Sequence, residues 1–301
     1  MGAVTVASDG AAGDSRRDGI ERGLAVNMRA TMQVATLTPR AQGALRLVAR
    51  AARGGSVIDT LRTSGSLKAL FPRAPGAALQ AVFLNTAGGL TGGDRMEVDV
   101  AAEAGAHLVV ASQAAERAYR AQPGSHAEVT VALRVAAGAR IDWLPQETIL
   151  FEGAALRRRL RVDLAPGGRV LLCEPVIFGR AAMGEVLHAA ALRDRWEVWQ
   201  GGRLIWADAL RLEGDIAAHL ARAGCGGGAG AMAGLAYGGP DAAALLAPLR
   251  ALLPPTCGVS LLPDGLLVLR LLMRDGFTLR RALIPVIERL TGAPLPKVWR
   301  L

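Results

Sequence analysis

The stretch Arg159-Leu160-Arg161-Val162-Asp163-Leu164 alternates charged and apolar side chains without a break. Met96-Glu97-Val98-Asp99-Val100 shows the same alternation, and period-two signals of this kind dominate from residue 37 to about residue 212. Because successive side chains of a β-strand point to opposite faces, each stretch places its Val and Leu on one face and its charges on the other. The pattern predicts strands that pack one face on a core and expose the other face to water.

Short corners that contain glycine recur between these predicted strands. They are Ala104-Gly105-Ala106-His107-Leu108, Ala137-Gly138-Ala139-Arg140-Ile141 and Pro166-Gly167-Gly168-Arg169-Val170. Their first glycines follow one another at intervals of 33 and 29 residues, which lie within the range of stacked repeat architectures. We therefore predict coiled, β-helix-like layers of strands.

The chain after residue 190 combines further strands with helices. Residues 195–200 and 203–210 flank Gly201-Gly202 and predict a β-hairpin, since two glycines supply the positive φ angles of a tight turn. The Gly- and Ala-rich residues 224–239 are low in complexity, which predicts a mobile loop.

Two helices are predicted near the C-terminus, with strands between them. Asp241 can cap a helix over residues 242–252 that Pro254-Pro255 stops, and residues 278–290 form a second helix that Pro285 bends. Residues 259–262 and 266–272 are predicted strands around Pro263-Asp264-Gly265. The predicted fold class is mainly β (α+β), with a few helices toward the C-terminus.

Composition and charge restrict the class of protein. The 301 residues carry 35 Lys and Arg against 26 Asp and Glu, and only Lys68 and Lys297 are lysines. Arginine pairs bidentately with carboxylates, which favours acidic protein surfaces as partners. Scattered arginines and an aromatic content of 4% argue against nucleic acid as a partner. No apolar run reaches membrane-spanning length, so no membrane partner is predicted either.

The N-terminal residues are charged and lack the apolar stretch of a secretion signal. We predict a disordered leader over residues 1–28, a single β-rich domain over residues 29–301, and a cytoplasmic location.

The cysteine, serine and histidine residues form none of the recognisable catalytic patterns. Cys173, Cys225 and Cys257 lie far apart with no C-x-x-C spacing, and no nucleophile elbow or histidine pair occurs. Zinc and calcium patterns are missing as well. The sequence predicts neither an enzyme nor a tightly bound cofactor.

The segment from Asn85 to Arg95 contains two Gly-Gly pairs. Such a density of glycine predicts left-handed backbone or a close approach by another backbone. A phosphate-binding loop is the first functional alternative, but the required Lys is missing and Asp94 would repel the anion.

Three carboxylates lie within apolar strand contexts, namely Glu147, Glu174 and Asp208. An acid of this kind either occupies the solvent face of its strand or lines a polar interior, where it pairs with arginine or touches a cation. The residues alone leave both alternatives open.

Five segments, in order along the chain, together carry a family resemblance. They are Gly88-Gly89-Leu90-Thr91-Gly92-Gly93-Asp94, Ala115-Glu116-Arg117-Ala118-Tyr119-Arg120, Trp143-Leu144-Pro145-Gln146-Glu147, Phe178-Gly179-Arg180-Ala181-Ala182-Met183-Gly184-Glu185 and Pro296-Lys297-Val298-Trp299. On these segments, roughly residues 30–301 resemble the urease accessory protein UreD family, called UreH in some bacteria.

The resemblance implies an unusual β-rich stack and a non-enzymatic scaffold in the maturation of nickel urease. Proteins of this kind bind apo-urease and recruit a UreF-type partner, which in turn carries a UreG-type GTPase that delivers nickel. The resemblance also implies an internal polar tunnel, with Ni²⁺ present only in transit.

Motif positions carry the family's residue roles onto this sequence. The resemblance implies that Asp94 is a tunnel carboxylate and that Glu174 and Asp208 are further acidic positions, so these three are the expected weak and transient metal contacts. Glu116 and Glu147 are additional candidates, although Glu116-Arg117 stands where the family commonly has a small residue and Lys. The residues expected to shape the motifs are Gly88, Gly89, Gly92, Gly93, Tyr119, Arg120, Gly179, Arg180, Gly184 and Glu185.

Isolated carboxylates hold a divalent first-row ion weakly, which suits transit rather than storage. The leading hypothesis is therefore a scaffold that guides Ni²⁺. The alternative is a purely structural adaptor that conducts no nickel. A third hypothesis is an enzyme that uses Glu147 or Glu185 as a general acid.

Overall fold

The computed structural model describes residues 39–300, and the predicted leader lies outside these described residues. Its strands, numbered in chain order, are β1 (Gln42–Ala52), β2 (Gly55–Gly65), β3 (Leu67–Leu70), β4 (Leu79–Asn85), β5 (Arg95–Ala102), β6 (His107–Ser112), β7 (Glu116–Ala118), β8 (Ala127–Val135), β9 (Arg140–Leu144), β10 (Thr148–Leu150), β11 (Ala155–Leu164), β12 (Arg169–Phe178), β13 (Ala190–Gln200), β14 (Arg203–Gly214), β15 (Ala231–Gly238), β16 (Gly258–Leu261) and β17 (Leu266–Met273). The α-helices are α1 (Ile216–Ala221), α2 (Ala242–Leu252) and α3 (Gly276–Thr291), and Ala181–Met183 and Lys297–Arg300 form 3-10 helices.

The strands form two sheets, which we call the outer and the central sheet. The outer sheet has the order β14-β13-β11-β8-β5-β1-β2, and the central sheet has the order β16-β17-β15-β12-β9-β6-β4-β3. Neighbours among β5, β8, β11 and β13 are parallel, as are neighbours among β4, β6, β9 and β12.

The chain alternates between the two sheets from β4 to β13, which stacks it into a β-solenoid of about four coils. The predicted glycine corners close one end of each coil, with Gly105, Gly138 and Gly167 at φ angles of 72°, 70° and 78°. Successive corners also touch, since the Gly138 N–H donates to the Gly167 carbonyl at 3.2 Å. The near-regular glycine spacing therefore reflects one coil per repeat, and the predicted β-rich, layered fold class is confirmed.

The two sheets differ in what covers them. Inward-facing residues of the outer sheet, such as Leu133, Leu160 and Val162, are buried, whereas the alternate positions face solvent. The central sheet is buried on its second face too, because α3 packs Leu283 and Val286 against it. The clean alternation of the outer strands and the nearly continuous apolar runs of the central strands follow from this difference.

The predicted mobile loop over residues 224–239 is wrong in its second half. Residues 231–238 are β15, all eight of them buried, and this strand pairs antiparallel with β12 and β17. Both faces of β15 are covered, and Gly234 packs closely against one neighbour: a Cβ there would lie 3.2 Å from the Trp196 ring. Low complexity in this segment marks close packing rather than mobility.

Most other late elements agree with their predictions. The hairpin forms between β13 and β14, with Gly201 and Gly202 at φ angles of 58° and 78°. α3 runs unbroken past Pro285 and begins with a capping box between Asp275 and Thr278. α2 occupies its predicted residues, but the Asp241 side chain does not cap it and instead accepts a hydrogen bond from the Tyr237 hydroxyl at 2.7 Å.

Candidate functional site

Three of the five family segments meet in one row at the side of the solenoid opposite the glycine corners, together with β10, which directly follows the Trp143–Glu147 segment. Leu90 forms a parallel bridge with Ala118, and Ala118 pairs with Leu150 of β10. Leu150 in turn pairs with Phe178 at the end of β12. The C-terminal segment contacts the Trp143–Glu147 segment through Trp299, whose indole N–H donates to the Leu144 carbonyl.

The double-glycine segment fits against its neighbours at contact distance. Gly89 has a φ of 150°, and a Cβ there would lie 2.3 Å from Tyr119 Cε2. Gly92 faces the Ser125 hydroxyl, 2.0 Å from where its Cβ would stand, while Gly88 and Gly93 have φ angles of 78° and 94°. Both predicted reasons for the glycines, left-handed backbone and close approach, are confirmed.

Asp94 holds this segment to the residue that directly precedes β1. It is 4% exposed, and its two carboxylate oxygens accept the backbone N–H groups of Ala41 and Thr91, each at 2.8 Å. Both oxygens therefore have backbone partners, and the predicted nickel contact of Asp94 stays a prediction.

A cavity of about 420 Å³ lies between the outer and central sheets. Its apolar wall includes Phe83, Met96, Val98, Val131 and Leu160, and its charged lining residues include Glu116, Arg158, Glu174 and Asp194. Gln113, Ala114 and Arg117, which are exposed, line it as well. The cavity thus leads from the protein surface to a buried charged cluster.

The cluster consists of Arg158 between two carboxylates. Arg158 Nη1 lies 2.5 Å from Glu174 Oε2, and Arg158 Nη2 lies 2.5 Å from Asp194 Oδ2. Each remaining carboxylate oxygen accepts an indole N–H, from Trp143 at 2.7 Å to Glu174 and from Trp196 at 3.1 Å to Asp194. All four carboxylate oxygens therefore have a partner within the protein.

Burial dominates the electrostatics of this cluster. Removal from water raises the pKa of Glu174, and Arg158 only partly offsets that effect. Burial also opposes the charge on Arg158, but Asp194 and Glu174 outweigh it and raise the pKa of the guanidinium, which stays charged. One cation faces two buried carboxylates, so the cluster is sensitive to the loss of any member.

Glu116 lines the same cavity from β7. Its carboxylate accepts the Asn85 side-chain N–H and the Arg117 backbone N–H, each at 3.1 Å. Burial raises its pKa above the ordinary value despite these hydrogen bonds. The structure thus brings Glu116 and Glu174 to one cavity, although the sequence separates them by 58 residues.

Glu147 has a different setting, since it is 5% exposed and fastened to α3. Arg280 donates to both of its oxygens, at 2.9 and 2.8 Å, and also to Gln146 Oε1 at 2.7 Å. Trp299 Nε1 donates to the Leu144 carbonyl at 2.9 Å. These contacts bind the C-terminal segment to the central sheet.

Asp208 lies on β14, with its side chain 31% exposed, and forms an ion pair with Arg270. It lines a separate pocket with Trp196, Trp206 and Gly234. The polar-interior alternative therefore describes Glu147 and Glu174, while Asp208 is partly exposed. Their predicted roles in nickel transfer stay predictions.

The segment from Gly179 to Glu185 forms a braced loop. Arg180 forms an ion pair with Glu185 at 2.9 Å, and its guanidinium lies 4.5 Å from the centre of the Phe151 ring. Tyr119 packs edge-on to the same ring at 5.0 Å, and Gly184 closes the turn with a φ of 65°. Arg120 joins the assembly through a bridge with Ala154. The predicted motif residues thus share one structural unit.

Sequence reasoning missed Arg158 and Asp194. The available signal was their register: Arg158 falls on the inward face of β11, between Leu156 and Leu160, and Asp194 falls inward on β13. A charged residue at an inward position of an alternating strand signals a buried polar cluster.

Residues 39–300 contain no group of three or more His, Cys, Asp and Glu side chains that could hold a metal ion. In the same range, no helix is long and apolar enough to cross a membrane. Cys173 is a buried free thiol, Cys225 is exposed, and Cys257 is partly buried.

Comparison with known proteins matches residues 41–300 to the family described as UreD urease accessory protein. The urease accessory protein UreD of Ruegeria pomeroyi is 50% identical over 246 residues, which cover 82% of this chain and 96% of that protein. The protein of the same name from Rhizobium leguminosarum bv. viciae is 47% identical over 272 residues, which cover 90% and 99%. The match spans the solenoid, the cavity and all five motif segments, and the chain belongs to the UreD family of urease accessory proteins.

Proposed function

We propose that this protein is a non-catalytic cytoplasmic scaffold that guides nickel into apo-urease. In this proposal it binds apo-urease and a UreF-type protein, and through the latter a UreG-type GTPase. Ni²⁺ is its cargo and no cofactor is tightly bound. The cavity between the two sheets is the path, with Glu116 and Glu174 as its acidic contacts.

The observation that carries the proposal is the shared cavity of Glu116 and Glu174. A carboxylate near exposed residues and a second one at the buried end provide successive oxygen ligands for a divalent ion. Oxygen ligands in small number bind such an ion weakly and therefore release it. This arrangement suits passage better than storage.

The purely structural adaptor remains the second candidate, and one observation favours it. The Glu174 and Asp194 oxygens are all occupied by Arg158, Trp143 and Trp196. In the adaptor role the cluster would only hold the sheets together. Exposed apolar side chains such as Met183, 72% exposed on the braced loop, would serve docking in either role.

The test is co-expression of the tagged protein with urease subunits and the other accessory proteins. Purified complexes are analysed for bound proteins, for nickel content and for urea hydrolysis. The scaffold proposal expects co-purification of apo-urease with a UreF-type protein, and activation that depends on this chain. Absence of both partners, or full activation without this chain, would overturn it.

Glu116→Gln and Glu174→Gln then separate conduit from adaptor. The conduit expects both variants to assemble while nickel content and urease activity fall together. Glu97→Gln is the matched control, because Glu97 is exposed on β5 of the outer sheet and does not line the cavity. Full activation by both cavity variants would favour the adaptor.

A further inference from the structure

Arg158 lies on the inward face of β11, where the neighbouring inward residues Leu156 and Leu160 belong to the core. It is 7% exposed, and it reaches Asp194 on the neighbouring strand β13 and Glu174 on the opposite sheet. Its Nη1 also donates to the Thr148 hydroxyl at 3.1 Å. The guanidinium therefore occupies the space between two carboxylates that approach from different sheets.

Two buried carboxylates around one gap are also what a divalent cation binds. A guanidinium keeps its proton under all ordinary conditions, so it is a permanent occupant of that gap. Arg158 Nε is buried and has no hydrogen-bond partner among the described residues, and Arg158 lines the cavity. Arg158 thus separates the two carboxylates at the wall of the cavity, where an ion that enters the cavity would meet the cluster.

We propose that Arg158 is a resident cation that keeps Glu174 and Asp194 from forming a static nickel site. It satisfies both carboxylates, so an ion that enters the cavity meets acidic groups without being retained by them. This inference deepens the proposed function and rests on it for its biological meaning. The chemistry of the gap can be tested on the purified protein alone.

The experiment measures binding of NiCl₂ alone to the purified full chain, free of any histidine tag, by equilibrium dialysis and calorimetry. The proteins compared are the wild type, Arg158→Gln and the triple variant Arg158→Gln/Glu174→Gln/Asp194→Asn. We expect Arg158→Gln to gain one Ni²⁺ site that the wild type lacks, formed by the oxygens of Glu174 and Asp194. The triple variant should lose that site, because it lacks both carboxylates. Any binding by surface histidines is common to all three proteins and therefore cancels in the comparison.

A folded Arg158→Gln protein that binds nickel no better than the wild type would overturn the proposal. The same holds if the triple variant keeps the new site. Melting curves with and without NiCl₂ give a second readout, because nickel should raise the melting temperature of Arg158→Gln by more than that of the wild type or the triple variant.

Arg158→Ala covers the case in which Arg158→Gln fails to fold. It is prepared with millimolar guanidinium chloride, which can refill the gap with the same planar cation. Folding restored by guanidinium, and nickel binding that guanidinium suppresses, would support a resident cation. Failure of both guanidinium and nickel to restore folding would overturn it, because the core would then need the side chain itself and not its charge.

The outcomes separate this inference from the proposed function. Suppose that urease is activated normally with Glu116→Gln and with Glu174→Gln, and that Arg158→Gln gains a nickel site. The conduit hypothesis would then be rejected, and the resident-cation inference would stand. If the two glutamate variants impair urease activation and Arg158→Gln gains no nickel site, the conduit hypothesis would stand and the resident-cation inference would be rejected.

Discussion

Arg158 on the outer sheet lies 2.5 Å from Glu174 on the central sheet, so one ion pair crosses the interior of the solenoid. Both side chains are more than nine-tenths buried. A pair of this kind is weak evidence for net stability, but breaking it leaves an uncompensated charge in the core. The cavity wall and the stability of the fold therefore depend on the same residues.

Arg158→Gln should lower the free energy of unfolding by about 3–5 kcal/mol, because two buried carboxylates lose the cation that pairs with both of them. Urea denaturation followed by circular dichroism measures it, in metal-free buffer. The matched control is Arg159→Gln, an exposed neighbour on the same strand, which should change stability by no more than about 0.5 kcal/mol. Equal effects of the two substitutions would contradict the buried ion-pair network.

Gly89→Ala should destabilise the fold more than Gly88→Ala does. Both residues have positive φ, but a Cβ on Gly89 would also lie 2.7 Å from the Arg117 carbonyl oxygen, whereas nothing stands within 4 Å of one on Gly88. We expect roughly 1–2 kcal/mol for Gly88→Ala from backbone strain alone, and a further 1–3 kcal/mol for Gly89→Ala from the clash. Thermal melting of both variants measures the difference, and the opposite order would be inconsistent with the packing of this segment.

Trp299→Ala should cost about 3–5 kcal/mol of stability, because the side chain is 1% exposed and donates to the Leu144 carbonyl. Phe277→Ala removes an aromatic ring that is 71% exposed and should change stability by about 0.5 kcal/mol or less. Chemical denaturation of the two variants gives the comparison. A small effect at Trp299 would mean that the C-terminal segment does not close the core.

Glu185 should make the fold depend on pH in the acid range. The hydrogen bond from Arg180 lowers the pKa of Glu185 to about 2 from its ordinary 4.5. A lowered pKa adds stability above pH 4.5, and this stability is lost as the pH falls from 4.5 toward 2. Urea midpoints across that range should fall less steeply for Glu185→Gln than for the wild type.

Arg180→Gln provides the matched test of the same ion pair. It should flatten the acid dependence as Glu185→Gln does, and the double variant should show no further change. Additive effects of the two substitutions would assign the acid dependence to other groups.

Cys173 should be inert to thiol reagents in the native protein at pH 8. Burial raises the pKa of its thiol well above the ordinary value, so almost no thiolate is present to react. Cys225 is exposed and should react rapidly with the reagent in the native protein. Ellman's assay on the wild type and on Cys225→Ser measures the two classes, and unfolding in urea should release Cys173. Rapid native labelling of Cys173 would show that β12 opens.

Strand positions in the outer sheet were predictable because one face of that sheet is solvated. There the alternation of residues 159–164 or 96–100 reports burial directly. β15 was not predictable in this way, since both its faces are buried and five of its eight residues are Gly or Ala. Composition alone assigned that segment to a loop, whereas it pairs as a buried strand with both β12 and β17.

Some residues of the candidate site could also be identified from the sequence, and others could not. Glu174 was identified from its apolar flanks and its place between motifs, and Glu116 from its motif. Arg158 was passed over inside the run of three arginines at residues 157–159, although its inward register distinguishes it from both neighbours. That Glu116 and Glu174 share one cavity depends on the stacking of the coils.

Local properties of the chain are enough to derive the β-rich coiled architecture, the glycine corners and the family, since these follow from alternation, turn chemistry and ordered motifs. Which inward side chains meet depends instead on how the coils stack. Glu116, Arg158, Glu174 and Asp194 come from four different strands on both sheets, and their contacts arise from the register between coils. Burial then sets their charge behaviour, since removal from water depends on what covers a group and not on the residues beside it in the chain.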